Sequence, residues 1–483
     1  MAKKRKNQVA KSTYSKQQKI KEALLNEQLK KMPPLPVREP EEPIEEPDMV
    51  PEEAVVTAEA FEETAAVVTE EPATAAVSEE TEAADTAATM DTAEVTEAAE
   101  AADTTEVVEE PAVPAVKRRA LLETLWFGLD YGSILTAFSL TRAVEQLGWE
   151  AVLMNKPPVL WTEHYDDPNN IAGKFIYKYC QVEPVARRAK DLSDMVQRAD
   201  AVVVGSDIIW SYDVCTRETH YHYYLDFVAD DKKKISYASS FGFDFSGPFG
   251  EELKACAKLL QRFNALSVSN YHNLDILRTR FGLEGEIVLD PVFLCDKAQF
   301  EAAAAQAPCI PDETDDSFIF TYIKYGTPRK REFVLRGNDI LTPNHYSPMR
   351  SFININTFPE SRDMLGLEVA WHITVEDWLY YLQHSEFVIT DDYYGVCFAI
   401  IFNKPFVFIE SVNYEGMNQV KALLSSLHLE ERIVHTEDDF KKKEYLFRMP
   451  VRYKKVNSLM KVMKEQSLAW LQNELSRSAE EVD

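Results

Sequence analysis

At 483 residues the chain has room for two or three domains, but its formal charge of −28 does not describe one acidic surface. Residues 1–32 carry ten Lys or Arg against two Glu, and residues 33–116 carry about 25 acidic side chains against Arg38 alone, which leaves residues 117–483 at only about −12. That split excludes an acidic binding face spread over a folded surface, and no stretch reaches the roughly 18 apolar residues that a membrane span requires.

Residues 11–32 have helical character, with Ile20, Leu24, Leu25, Leu29 and Met32 near one side, behind the basic cluster Lys3-Lys4-Arg5-Lys6. Residues 1–32 therefore read as a basic, partly helical tail. Such a segment could contact anionic surfaces, whereas its lack of aromatic anchors fits a solvated, fraying helix; no specific nucleic acid is predicted. No apolar h-region follows the lysines, so the expected location is cytoplasmic. Residues 33–116 are built from Glu, Ala, Thr, Val and Pro with Phe61 as the one aromatic residue and no Gly. They cannot offset an ordering entropy of about 1–2 kcal/mol per residue and are predicted to be disordered, as a solvating spacer or as a tail that captures a basic partner.

From Leu121 strands and helices alternate. Leu121–Leu129 reads as a first strand, Asp130-Tyr131-Gly132 turns the chain, and Ser133–Leu147 repeats apolar residues at helical spacing before Gly148 closes the helix. There follow strand Ala151–Met154, helix 185–198, strand 202–204, helix 251–264, strand Ala265–Val268, helix 271–281 ending at Gly282, and strand Ile287–Leu289. Residues 296–316, rich in Ala, Pro and Asp, read as a junction. A second set takes in strand 318–323, helix 375–384, strand Phe387–Thr390, a helix from about Gly395, strand Phe406–Ile409, helix Gln419–Leu427 and a closing helix Ser458–Leu475. Strands separated by helices of this length predict parallel sheets with right-handed crossovers. The expected fold class is α/β, with two Rossmann-like halves, 117–295 and 317–478, facing across a cleft in a GT-B-like arrangement behind the long disordered acidic tail.

Six cysteines, Cys180, Cys215, Cys256, Cys295, Cys309 and Cys397, show no C-x-x-C pair and no metal-ligand spacing. On a strand, His220 and His222 would share one face, but without a third ligand nearby no metal site is expected.

Four segments share one form, a short apolar run that stops at small or acidic residues: Val202-Val203-Val204-Gly205-Ser206-Asp207, Ile235 to Gly242, Val288-Leu289-Asp290-Pro291 and Val388-Ile389-Thr390-Asp391-Asp392-Tyr393-Tyr394-Gly395. This is how the carboxyl end of a buried parallel strand reads, and open α/β sheets bind ligands at that edge. A carboxylate there, Asp207 or Asp290, could bind a sugar or cap the next helix. Gly395 fits close approach of a ligand to backbone N–H groups and equally a tight turn.

In order and wording these segments resemble the polysaccharide pyruvyl transferase family, over about residues 125–475. Asp130-Tyr131-Gly132, Val204-Gly205-Ser206-Asp207-Ile208-Ile209-Trp210, Tyr224 to Val228, Lys232 to Lys234, Tyr237 to Gly242 and Asn403-Lys404-Pro405-Phe406 are similar to family segments in the same register. The resemblance implies transfer of the enolpyruvyl part of phosphoenolpyruvate onto two hydroxyls of a sugar of a glycan or glycan precursor, with no cofactor beyond that donor. Where the family carries Arg in Ser-Val-Arg-Glu and His in Ser-Phe-His-Gly, this chain has Ser269 and Tyr394. Tyr394 is thus the candidate catalytic residue, and Asp130, Tyr131, Gly132, Ser206, Asp207, Ser269, Asp290, Asp391, Asp392 and Gly395 are candidates for substrate binding. Lys324, Arg329, Lys330 and Arg350 could serve as replacement cations, but each reads first as ordinary surface charge. Three functions stay open: an active pyruvyl transferase, a degenerate member that binds a glycan or a partner, and a nucleotide-sugar glycosyltransferase.

Overall fold

The computed structural model describes residues 117–127, 130–156, 170–212, 220–242, 245, 247–308, 318–341, 351–355, 373–410 and 417–478. The disorder expected for 33–116 and the helix expected within 11–32 lie outside these residues.

The first half runs β1 (Arg119–Glu123), α1 (Tyr131–Gln146), β2 (Glu150–Leu153), α2 (Ile171–Tyr179), β3 (Gln181–Val182), α3 (Ala189–Gln197), β4 (Ala201–Val204), α4 (His220–Tyr223), β5 (Lys233–Ser236), α5 (Gly250–Leu260), β6 (Ser267–Val268), α6 (Tyr271–Phe281) and β7 (Glu286–Ile287). Its strands pair in parallel in the order β3-β2-β1-β4-β5, and single bridges Ile235–Ala265 and Ser239–Val268 join the parallel pair β6-β7 to that edge. After α7 (Lys297–Ala304) the second half runs β8 (Phe318–Tyr322), α8 (Pro328–Leu341), β9 (Ser351–Ile355), α9 (Val375–His384), β10 (Phe387–Thr390), α10 (Tyr393–Ile401), β11 (Phe406–Ile409), α11 (Met417–Ser426), β12 (Ile433–Val434), α12 (Glu437–Lys443) and α13 (Tyr453–Ser476). Its parallel sheet has the order β12-β11-β10-β8-β9. The fold is α/β with two doubly wound, GT-B-like halves, and strand order reverses between β1 and β4 in one sheet and between β8 and β10 in the other.

The sequence explains the main elements. β4, β10 and β11 are continuous apolar or β-branched runs and are buried along their whole length, as strands covered on both faces must be. α6 ends where Gly282 takes the left-handed conformation, and α9 starts at a reciprocal pair in which Thr374 and Asp377 satisfy each other's backbone N–H.

One apolar core runs through both halves. It includes Leu122 and Val203 of the first sheet, Phe320 and Val388 of the second, and Leu471 and Leu475 of α13. Phe300 of α7 bridges the two, its ring 5.9 Å from Phe138 and 4.9 Å from Phe398. α13 carries the chain back onto the first half, where Lys233 donates to the carbonyls of Glu474, Leu475 and Arg477 and the Leu289 N–H donates to Ser467 Oγ at 3.0 Å.

Some boundaries differ from the sequence reading. β1 ends at Glu123 rather than Leu129, because Trp126 and Phe127 turn into the core. The junction around 296–316 contains α7, and α13 begins five residues before Ser458. His220 and His222 fall in a single helical turn rather than on a strand. Among the described residues no helix is long and apolar enough to cross a membrane.

Candidate functional site

The carboxyl ends of β1 and β4 face those of β8 and β10, so the two points of strand reversal meet. β4 delivers Gly205, Ser206 and Asp207. Only glycine fits at 205: its φ is +132°, and a Cβ there would fall 2.1 Å from the Tyr237 carbonyl oxygen. Asp207 itself is left-handed, with φ 62°, a conformation that Asp tolerates better than most residues. Its Oδ2 accepts from Ser133 Oγ at 3.0 Å. The side chain keeps some exposure but is walled by protein. Burial, and then the charge of Asp130, lift its carboxyl to about 6, against the Ser133 hydrogen bond and Lys324.

α1 is set by Asp130, which accepts from the Gly132 N–H at 2.9 Å as the cap of the helix. The other oxygen of Asp130 meets Lys324 Nζ of the second half at 2.6 Å. Tyr131 is buried, stacks on Trp378 at 5.8 Å and donates to the Ile373 carbonyl at 2.9 Å. At Gly132 the missing Cβ is decisive, because the ring of Tyr394 lies 1.8 Å from where it would stand.

From β10, Asp391 and Asp392 take different tasks. Asp391 accepts from the backbone N–H groups of Lys324 and Tyr325 at 2.6 and 2.9 Å and from Lys330, and so braces the loop after β8. Asp392 caps α10 through the N–H groups of Tyr394 and Gly395 at 2.9 and 3.1 Å, and it pairs with Lys324 Nζ at 2.8 Å. Burial holds Asp392 above the ordinary carboxylate range despite Lys324. Asp290 caps the short turn Pro291–Phe293, accepting from Val292 N at 3.0 Å, and burial raises it to about 7, with the Val292 hydrogen bond opposing and Asp207 adding.

Tyr394 is buried, and its hydroxyl is held well above the usual phenol range by burial and by Asp207 and Asp290. Thr136 lies beside it, yet neither hydroxyl is in hydrogen-bonding geometry. Ser206 Oγ, Tyr322 OH and Trp378 Nε1 are likewise buried without a partner among the described residues. Gly395 answers to packing: a Cβ there would lie 2.3 Å from Thr390 Oγ1, so the close neighbour is β10 rather than a ligand.

The structure thus gathers Asp130, Tyr131, Gly132, Asp207, Asp290, Asp391, Asp392 and Tyr394 around one junction. Ser269 belongs to the same sheet edge but contacts Asn270 and Asn273, at 3.4 and 3.2 Å, rather than that cluster. Of the cations, Lys324 and Lys330 are buried in the site, Arg329 donates to the His435 carbonyl, and Arg350 lies outside the described residues. Ser133, Thr136, Tyr322 and Trp378 were not singled out in the sequence; Ser133 and Tyr322 had a signal, since one opens the helix after the first turn and the other ends a strand. Among the described residues no group of three or more His, Cys, Asp or Glu side chains could hold a metal ion.

The sequence model of one family, described as polysaccharide pyruvyl transferase, matches residues 131–413. No curated protein matches the chain. Similar solved structures include a glycosyltransferase from Rickettsia africae ESF-5, 9% identical over 75% of this chain and 100% of that one with a TM-score of 0.47. Another is a UDP-GlcNAc 2-epimerase from Neisseria meningitidis bound to UDP-GlcNAc, 11% identical over 73% of this chain and 100% of that one with a TM-score of 0.45. A third, UGT89C1 from Arabidopsis thaliana complexed with UDP-L-rhamnose, is 12% identical over 75% of this chain and 100% of that one with a TM-score of 0.42.

Proposed function

The chain belongs to the polysaccharide pyruvyl transferase family, and on that premise we propose that it transfers the pyruvyl part of phosphoenolpyruvate, in the cytoplasm, to a sugar of a cell-surface glycan precursor as a cyclic ketal. The observation that carries this reading is Asp207, a half-buried carboxyl in a left-handed turn at the meeting of the two sheets, which burial and the charge of Asp130 push up to about 6. Such a group keeps a protonated fraction near neutrality and gives the proton up readily, which is what an enol phosphate requires.

The chemistry balances around that carboxyl. Asp207 protonates the methylene carbon of the donor, and the first sugar hydroxyl adds to the carbon that becomes electrophilic, its proton returning to Asp207. The second hydroxyl then adds at the same carbon as the bond to phosphate oxygen breaks, and its proton leaves with the phosphate. Lys324 is the cation for the donor's carboxylate or phosphate, and would exchange Asp130 for it. The unpartnered hydroxyls of Thr136, Tyr322 and Tyr394 supply neutral donors, which bind an anion without a desolvation cost as large as that of a second buried charge. Tyr394, buried and firmly protonated, suits positioning better than proton transfer.

A second reading, a glycan-binding member without turnover, is favoured by one feature. The backbone N–H groups at the starts of α1, α10 and the Pro291 turn are already capped by Asp130, Asp392 and Asp290, and Lys324 already has two carboxylate partners.

Melting of the full chain with and without phosphoenolpyruvate, followed by phosphate release with candidate glycans, separates the two. We expect a ligand-dependent rise in melting temperature, and release that falls at least about 100-fold in Asp207→Asn. A melting shift with no phosphate release from any acceptor supports the binding protein. Absence of both excludes the donor.

A further inference from the structure

One corner of the second half is strongly cationic in a chain that is acidic overall. Residues 441–455 carry seven Lys or Arg against Glu444 alone. They span the end of α12, the turn Glu444–Phe447 and the first turn of α13. Two of these cations serve the fold: Lys441 pairs with Glu437 at 2.9 Å and Lys443 with Asp439 at 3.1 Å. Lys442, Arg452, Lys454 and Lys455 are exposed and form no ion pair among the described residues. Between them stand Tyr445 and Met449, 49% and 36% exposed.

Helix stability does not account for this arrangement. Lys454 and Lys455 lie in the first turn of α13, where the helix dipole disfavours positive charge, no acidic residue shares that turn, and Arg452 at the cap makes no side-chain capping bond. Four uncompensated cations this close in sequence also repel one another. An external anionic surface removes both costs.

We propose that this corner docks the protein on a membrane rich in anionic lipid. The cations match the charge of the headgroups, and Tyr445 and Met449 suit the boundary between headgroups and acyl chains, where an aromatic ring with a polar tip and a flexible thioether can both insert. Those apolar side chains favour a bilayer over a nucleic acid, whose phosphates would need the cations alone. The inference does not rest on the transfer reaction.

The test is co-sedimentation of the full chain with vesicles of phosphatidylcholine alone or with about three parts in ten phosphatidylglycerol, near physiological ionic strength. Binding to the anionic vesicles only is expected. The triple variant Arg452→Glu, Lys454→Glu, Lys455→Glu should lose at least about ten-fold in partitioning, and Tyr445→Ala with Met449→Ala should lose several-fold at unchanged charge. Residues 1–32 are present throughout, so their own contribution cancels in the comparison, and unchanged melting temperatures verify that the variants fold. Equal binding to neutral vesicles, or anionic binding untouched by charge reversal, overturns the proposal. Loss in the charge variant with none in Tyr445→Ala, Met449→Ala, together with equal affinity for duplex DNA, assigns the corner to a polyanion instead and also overturns it.

Discussion

Gly132 and Tyr394 are bound together by sterics: a side chain at 132 would occupy the space of the tyrosine ring. Gly132→Ala should therefore cost about 1–3 kcal/mol in urea unfolding, while the same change in a Tyr394→His background should cost clearly less, since the smaller ring vacates part of that space. Asp207 and Asp290 set a pH dependence of known sign. Their folded values, about 6 and about 7, are above those of an unfolded aspartate, so the folded state binds protons more tightly. The stability they confer is full below about pH 4 and is lost as pH rises through 6 to 7. Melting temperature across that range should fall accordingly, and Asp290→Asn, which keeps an oxygen for the Val292 N–H, should flatten the slope. The acidic residues of this site were legible because each ends a strand. The pairing of Lys324 with Asp130 and Asp392 was not, because Asp392, 68 positions on, reaches it only through the pairing of β8 with β10, and Asp130, 194 positions back, only when the two sheets face each other.

Among the elements, α13 does the least local and most far-reaching task, since its last turn is held by a lysine on β5. Lys233→Met removes a cation from three carbonyls at the negative end of that helix. A loss of about 1.5–3 kcal/mol is expected, with amide exchange accelerating in residues 470–477 before it does in β5. How well the sequence spoke for an element followed how much local chemistry marked its ends. α9 was read to the residue because Thr374 and Asp377 form its start, and α6 because Gly282 stops it. α13 lost its first turn in that reading because Tyr453–Asn457 carry cations and no capping side chain. α7 was taken for a connector since its alanines, good helix formers, stand beside Pro and Asp, and only the packing of Phe300 between α1 and α10 shows what the helix is for.

At the scale of the molecule each half has an apolar cluster of its own, but the largest cluster is shared by both, so each half alone would expose its side of that shared core. Residues 117–308 expressed by themselves should show helical far-ultraviolet dichroism with dye-binding apolar surface and no sharp thermal transition; a cooperative transition would show that the core divides. By composition, removing residues 1–116 should leave the transition of the remainder unchanged by calorimetry, since that stretch is dominated by charged and small residues and carries only Tyr14 and Phe61 as aromatic side chains. The chain passes between halves twice, once after α7 and once through α13, and this double passage has a mechanical meaning. A single strand between two bodies is a leash, and lets one wander about the other. Two crossings draw a line, and bodies joined along a line can swing about it like a door on its frame. The pair of Lys324 with Asp130, which crosses from one half to the other, then acts as the bolt.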